Sequence, residues 1–207
     1  MALNQRKAVF LDKDGTLVRD IPYNVDPRRV KLETGACEAL RLLHARGYLL
    51  IVVSNQSGIA RGFFPEKALL GVRRKLIDIF SRSGVPLAGF YYCPHHPEGI
   101  VPGYRTRCFC RKPHPGMLLR AAKDLQVELR LSWMVGDILD DVEAGKIAGC
   151  RTILIDNGNE TQWEFSQTRT PDHYAPTLAQ AARMIVSVPF RITERAPADQ
   201  FSQGGRP

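Results

Sequence analysis

The sequence predicts an α/β protein built on a doubly wound parallel sheet. Short apolar runs alternate with helix-patterned segments about five times along the chain, and three of the runs end in polar residues, at Asp12, Ser54 and Asp137. Such alternation builds a parallel sheet with helices on both faces, and ligands bind outside the carboxyl ends of its strands. Those three residues therefore mark a candidate site before any motif is considered. The length of 207 residues suits one domain with a long loop better than two full domains.

The elements follow in order. Ala8 to Leu11 is a short apolar run and reads as a buried parallel strand. Gly35 to Arg46 carries Ala36, Ala39, Leu40 and Leu43 at helical spacing and stops at Gly47. Tyr48 to Val53 is a second apolar strand. Pro65 to Arg82 is helical, with proline at its start and Gly84 beyond its end. Phe90 to Tyr92 is a third strand, running into a loop rich in Cys, His, Pro and Gly. Pro115 to Leu125 is a helix, Trp133 to Val135 a strand, Asp140 to Ala148 a helix ended by Gly149, Arg151 to Ile155 a strand and Leu178 to Val186 a last helix. These elements define one domain over 1–189. The segment from Phe190 to Pro207, rich in Pro, Gly and Arg, is expected to be a flexible tail.

Composition excludes several classes. Hydrophobic residues at 44% and charged residues at 24% describe an ordinary globular protein rather than a collagenous, disordered or membrane-spanning one. No apolar run is long enough to cross a bilayer. Met1 to Lys7 is polar, and nothing behind it reads as a secretory signal. Lys plus Arg number 29 against 21 acids, so the formal charge of +8 favours an anionic partner. These cations are scattered, with no block that would mark a nucleic-acid tail. Five cysteines is an odd count and argues against a disulfide framework.

Asp12-Lys13-Asp14-Gly15-Thr16 follows the first strand directly. Residues two apart on extended chain share a side, so both carboxylates are expected to face the crevice while Lys13 points away. Close carboxylates repel unless a cation lies between them, and a hard ion such as Mg²⁺ suits oxygen ligands. An aspartate can also attack phosphorus. Ser54-Asn55-Gln56-Ser57-Gly58 offers a hydroxyl, an amide and backbone N–H groups for phosphate oxygens. Arg111 and Lys112 precede a helix and could neutralise the same phosphate. Asp137 is the natural third carboxylate for a cation held by Asp12 and Asp14, with Asp141 a partner that orients Lys112 or a metal-bound water.

Cys93-Pro94-His95 and Cys108-Phe109-Cys110 are two ligand pairs separated by 12 residues. Each pair can present both side chains from one face of an extended segment. Four nitrogen and sulfur ligands with no open position describe a structural zinc site, here a loop over 93–110. His96 is the rival to His95. A Cys108–Cys110 disulfide would be strained.

On Asp12 to Thr16, Ser54-Asn55, Lys112 and Gly136-Asp137 with Asp141, in that order and each beside its expected strand or helix, the chain resembles the haloacid dehalogenase superfamily of aspartyl phosphatases. The resemblance covers Val9 to Ile155 and implies that superfamily's Rossmann-like fold. Asp12 would be the nucleophile, and Asp14 the acid for the leaving oxygen and then the base for water. Mg²⁺ would be held by Asp12, the Asp14 carbonyl and Asp137. Ser54 and Lys112 would cradle the phosphate, with Thr16 and Asp141 in support. The second aspartate favours a phosphatase, because a dehalogenase has no alkoxide to protonate.

The zinc loop, with Ser54 to Gly62 and Cys110-Arg111-Lys112-Pro113, is similar to the D-glycero-D-manno-heptose-1,7-bisphosphate 7-phosphatase family. There Arg111 joins Lys112 at the substrate's phosphates, and Arg61 and Arg111 are the candidates for the non-reacting phosphate. Two departures stand out. Ile138 occupies a position where that family often has Lys, and Asn157-Gly158-Asn159-Glu160-Thr161 carries no motif with a derivable role. No long insert forms a large cap, so the site is expected to be open. It would be shaped by Tyr23 to Arg28, by Arg61 to Phe64 and by the zinc loop. The expected protein is a cytoplasmic, monomeric sugar-phosphate phosphatase with catalytic Mg²⁺ and structural Zn²⁺ and no nucleic-acid or membrane partner. The alternatives are a histidinol-phosphate phosphatase, a nucleic-acid 3′-phosphatase, or a non-enzymatic zinc-loop interaction protein.

Overall fold

The computed structural model of the chain describes residues 5–188; the expected tail at 190–207 lies outside them. Six strands form one sheet: β1 (Lys7–Leu11), β2 (Tyr48–Asn55), β3 (Gly89–Cys93), β4 (Trp133–Gly136), β5 (Arg151–Ile155) and β6 (His173–Ala175). Their spatial order is β3-β2-β1-β4-β5-β6, and every pairing is parallel. The order reverses between β1 and β4, where a doubly wound sheet opens its ligand crevice. Leu11 lies opposite both Val52 and Val135, so the residues after β1, β2 and β4 emerge together at one edge. The backbone N–H of Asp12 extends this pairing by donating to the Val135 carbonyl at 2.9 Å.

Alternation along the strands supplies two cores. Val9, Leu11, Leu50 and Val52 face one side with Leu40 and Leu43 of α1 (Ala36–Ala45), Leu76 and Phe80 of α2 (Leu69–Arg82) and Ile185 of α5 (Leu178–Ser187). Ala8, Phe10, Ile51 and Val53 face the other side with Met117 and Leu118 of α3 (Gly116–Leu125) and Ala144 of α4 (Leu139–Ala148). Burying a side chain the size of Leu or Phe contributes about 1.5–3 kcal/mol. The strands at the centre carry apolar residues on both faces because both faces are covered.

Beyond shifts of one or two residues at element ends, two features differ from the sequence reading. The segment after Pro65 opens as a 3-10 turn, Glu66–Ala68, before α2 begins at Leu69. β6 was not expected: His173-Tyr174-Ala175 is too short and mixed in polarity to stand out, and its pairing with β5 makes it a strand. No helix of the described residues is long and apolar enough to cross a membrane. The 94–115 connection between β3 and α3 carries most of the Cys/His loop expected over 93–110, and no large cap domain is inserted among the described elements.

Candidate active site

Three buried carboxylates and one buried ammonium occupy the crevice. Asp12, Asp137 and Asp141 each place a carboxylate oxygen within 4.8 Å of the others. Lys112 is 1% exposed. Its Nζ bonds Asp12, lies 2.5 Å from Asp141 Oδ1 and donates to the Val53 carbonyl at 3.2 Å. Burial disfavours its charge, but Asp12 and Asp141 override burial and hold the ammonium above the usual lysine value. Asn55 clamps the Lys112 backbone from both sides: its Oδ1 accepts the Lys112 N–H at 3.1 Å and its Nδ2 donates to the Lys112 carbonyl at 3.1 Å. The amide expected to meet phosphate is thus engaged in holding the lysine. The Ser54 hydroxyl, 1% exposed, accepts from Gln56 Nε2 at 2.8 Å.

Asp137 is held through both oxygens. Thr16 Oγ1 donates to Oδ1 at 3.1 Å and Asn159 Nδ2 donates to Oδ2 at 2.7 Å. Burial, then the charges of Asp12 and Asp141, push its carboxyl up to about 8. Burial likewise pushes Asp141 up to about 7 against the pull of Lys112. Uncompensated negative charge in a buried oxygen-rich pocket fits a hard divalent cation.

The Asp12–Val18 segment corrects one expectation. Lys13 does not point away: it is 2% exposed, and its Nζ meets Asp14 Oδ1 at 2.5 Å. The alternation argument assumed extended chain, but the Leu17 and Val18 N–H groups both donate to the Lys13 carbonyl, and Gly15 takes φ +79°. The Asp14 carboxylate therefore stands outside the three-acid cluster. It lines a cavity of about 230 Å³ with Asp20, Tyr23, Asn24, Asn55 and Ser57. Burial, opposed by Lys13, holds its carboxyl above the usual value.

The zinc-type ligands converge as the spacing predicted. Cys93 Sγ lies 3.4 Å from Cys108 Sγ and 3.2 Å from Cys110 Sγ, and Cys108 and Cys110 are 3.3 Å apart. His95 Nδ1 is 3.6 Å from Cys93 Sγ and 3.4 Å from Cys110 Sγ. Such mutual spacing suits four ligands around one tetrahedral ion. His96 is outside this group, with its Nε2 3.1 Å from Arg61 Nη2. Burial and the charges of Arg111 and Arg61 push the His96 imidazole down. Arg61 Nε and Arg111 Nη1 are buried and have no hydrogen-bond acceptor.

The loop is tied to the crevice. The N–H groups of Ile100 and Val101 donate to the Ala60 carbonyl at 2.8 and 3.0 Å, and the Gln56 N–H donates to the Cys93 carbonyl at 2.8 Å. A larger cavity of about 380 Å³, lined by Glu66, Tyr92, His95 and Arg120, lies beside the zinc-type cluster and includes none of Asp12, Asp14, Asp137 and Asp141.

Sequence reasoning missed the segment after β5. Asn157 Nδ2 donates to the Gly15 carbonyl at 2.7 Å, Asn159 reaches Asp137, and Glu160 Oε2 accepts the Leu139 N–H at the start of α4 at 2.6 Å. Polar residues just beyond the carboxyl end of a strand next to β4 were the available signal.

Comparison with known proteins agrees with this architecture. A HAD-hydrolase-like family model matches residues 109–181. The D-glycero-beta-D-manno-heptose-1,7-bisphosphate 7-phosphatase of Pasteurella multocida (strain Pm70) is 47% identical over 154 residues, 74% of this chain and 83% of that protein. The chain belongs to that protein's family. The member from Escherichia coli (strain K12) is 43% identical over 152 residues, 73% of this chain and 80% of that protein. The crystal structure of the D,D-heptose 1,7-bisphosphate phosphatase from B. bronchiseptica, complexed with magnesium and phosphate, superposes with a TM-score of 0.71 at 26% identity, covering 88% of this chain and 99% of that one. The chain is accordingly a phosphoric monoester hydrolase of the haloacid dehalogenase superfamily.

The raised carboxyls give a pH signature. A carboxyl raised in the fold keeps a proton that the unfolded chain releases, so its contribution to stability falls as pH rises through that interval. The window runs from about 4, the unfolded value, to about 8, where Asp137 ionises in the fold. Urea midpoints of metal-stripped protein should show a larger gain from added Mg²⁺ at pH 8 than at pH 5. An equal gain at both would contradict this account of the cluster.

Proposed function

We propose that the chain is a magnesium-dependent phosphatase that removes the 7-phosphate of D-glycero-D-manno-heptose-1,7-bisphosphate by way of a phosphoryl group carried on Asp12. An oxygen of the Asp12 carboxylate attacks phosphorus, and the bond from phosphorus to the sugar oxygen breaks. Asp14, facing the 230 Å³ cavity in which the sugar would lie, gives its proton to that oxygen. Asp14 then takes a proton from the water that attacks the phosphoryl group, releasing phosphate and Asp12. Lys112, already ionised and aimed at Asp12, balances charge on the transferred oxygens, and the Ser54 hydroxyl stands beside it. Asp12, Asp137 and the Asp14 carbonyl would hold the magnesium ion, which shields the nucleophile from the phosphoryl charge when bound. Thr16 and Asp141 orient Asp137 and Lys112.

The orphaned donors of Arg61 and Arg111 carry the substrate reading. One buried nitrogen of each half-buried guanidinium, Arg61 Nε and Arg111 Nη1, lacks an acceptor, which suits a second anion, and their planar forks suit phosphate. The imidazole and ammonium of histidinol phosphate offer them nothing. A sugar with phosphates at both ends supplies one for Lys112 and one for the arginines. The bisphosphate should exceed heptose 7-phosphate in kcat/KM by about tenfold, roughly one charged contact, and Arg111→Ala should remove most of that difference. Equal rates on the two substrates in the parent enzyme would show that the remote contact does not exist. Histidinol phosphate outperforming both would refute the substrate while sparing the catalytic core.

Zinc is proposed for Cys93, His95, Cys108 and Cys110. Elemental analysis of protein purified without chelator should find about one zinc per chain. Cys108→Ser should lose that zinc and blunt the preference for the bisphosphate more than it lowers the thermal midpoint, because the loop holds the Ala60–Arg61 turn. Protein free of zinc yet fully discriminating would exclude this role.

A further inference from the structure

We infer that Asn159 is a positioning residue for Asp137, fixing the carboxylate that, with Asp12, would hold the divalent ion. The inference rests on the metal-dependent reading above. Lys112 spends its ammonium on Asp12, Asp141 and the Val53 carbonyl, so it makes no ion pair with Asp137. Asp137 is fixed by neutral donors instead: Thr16 on one oxygen and Asn159, at 2.7 Å, on the other. A carboxylate gripped at both oxygens has its rotamer set before any ion arrives. Ligands oriented by outer partners bind metal more tightly than ligands left free to turn.

The placement of Asn159 is built rather than incidental. Its backbone N–H donates to Asn157 Oδ1 at 3.2 Å, while Asn157 Nδ2 holds the Gly15 carbonyl, so the two asparagines lock the segment against the turn that carries Asp12 and Asp14. Glu160 fastens the same segment to the first turn of α4. Gly15 completes the fit, because a Cβ there would overlap both the Asp137 carboxylate and the Asn159 amide. An amide is also the suitable group chemically. It donates to a carboxylate without adding charge to a cluster that already holds three acids.

The test measures metal binding, not turnover. Mn²⁺ would be titrated into the full-length, metal-stripped protein without substrate, with binding read by electron paramagnetic resonance. Asn159→Ala should weaken Mn²⁺ binding by about tenfold or more. Asn159 is exposed, so its urea midpoint should stay near that of the parent. Asn159→Leu, of similar bulk without the donor, should behave alike. Asn157→Ala, which frees the Gly15 carbonyl and the Asn159 backbone N–H but keeps the Asn159 amide as a donor to Asp137, should lose clearly less. Unchanged Mn²⁺ affinity in Asn159→Ala overturns the inference. So does an equal loss in the Asn157 and Asn159 variants with matching drops in stability, since that describes a structural strap. A parent protein that binds no Mn²⁺ overturns the metal-dependent reading itself, and this inference with it.

Discussion

Lys112 Nζ lies buried between Asp12 and Asp141, and the head of the sheet is organised around that contact. An unpaired ammonium in the interior would lose its charge, and three unpaired carboxylates would not coexist within 4.8 Å. Together they are sustainable, yet not neutral: three acids against one base leave two formal negative charges. That remainder suits the crevice to a divalent cation, and burial together with the mutual repulsion of the acids raises the Asp137 and Asp141 carboxyls. The same lysine connects β1 through Asp12, β2 through the Val53 carbonyl and α4 through Asp141, while Asn55 fixes its backbone. Charge balance and fold geometry therefore depend on one side chain.

A second constraint acts from the side. The Cys93–Cys110 loop is joined to the end of β2 through the Gln56–Cys93 bond and to the Ala60 turn through Ile100 and Val101. Within this packing Arg61 Nη2 lies 3.1 Å from His96 Nε2, and the charges of Arg111 and Arg61 both act on that imidazole. Chemistry and selection are thus carried by different parts. In the proposed function the parallel sheet places the reacting groups, and the loop packs beside the cations offered to a second phosphate. On that proposal, recognition without a large cap among the described residues would come from the short segment that carries Cys93, His95, Cys108 and Cys110.

Most of the sheet was legible in the sequence because its strands are uninterrupted apolar runs and its site residues follow them directly. Asp12, Ser54 and Asp137 could be brought to one edge by topology alone, and the four zinc-type ligands could be grouped by spacing. What stayed hidden was hydrogen-bond partnership across loops. Asn55 looks like a phosphate ligand until its amide is found clasping the Lys112 backbone. Lys13 looks outward-facing until the turn after β1 folds it onto Asp14. Asn157, Asn159 and Glu160 form no pattern in the chain, since their partners are 142, 22 and 21 residues away in sequence. β6 was missed for the same reason: three residues become a strand only because β5 offers an edge.

In the proposed reaction Asp12, paired with Lys112 in the resting protein, carries the phosphoryl group while Lys112 contacts its oxygens. A crystal structure of the enzyme with Mg²⁺ and beryllium fluoride, a stable mimic of a phosphorylated aspartate, tests it most directly. Beryllium should be bonded to an Asp12 oxygen, with Lys112 Nζ and the Ser54 hydroxyl on its fluorines and Lys112 still held by Asp141. Beryllium fluoride bound to another residue, or bound to Asp12 with Lys112 turned away, would contradict it.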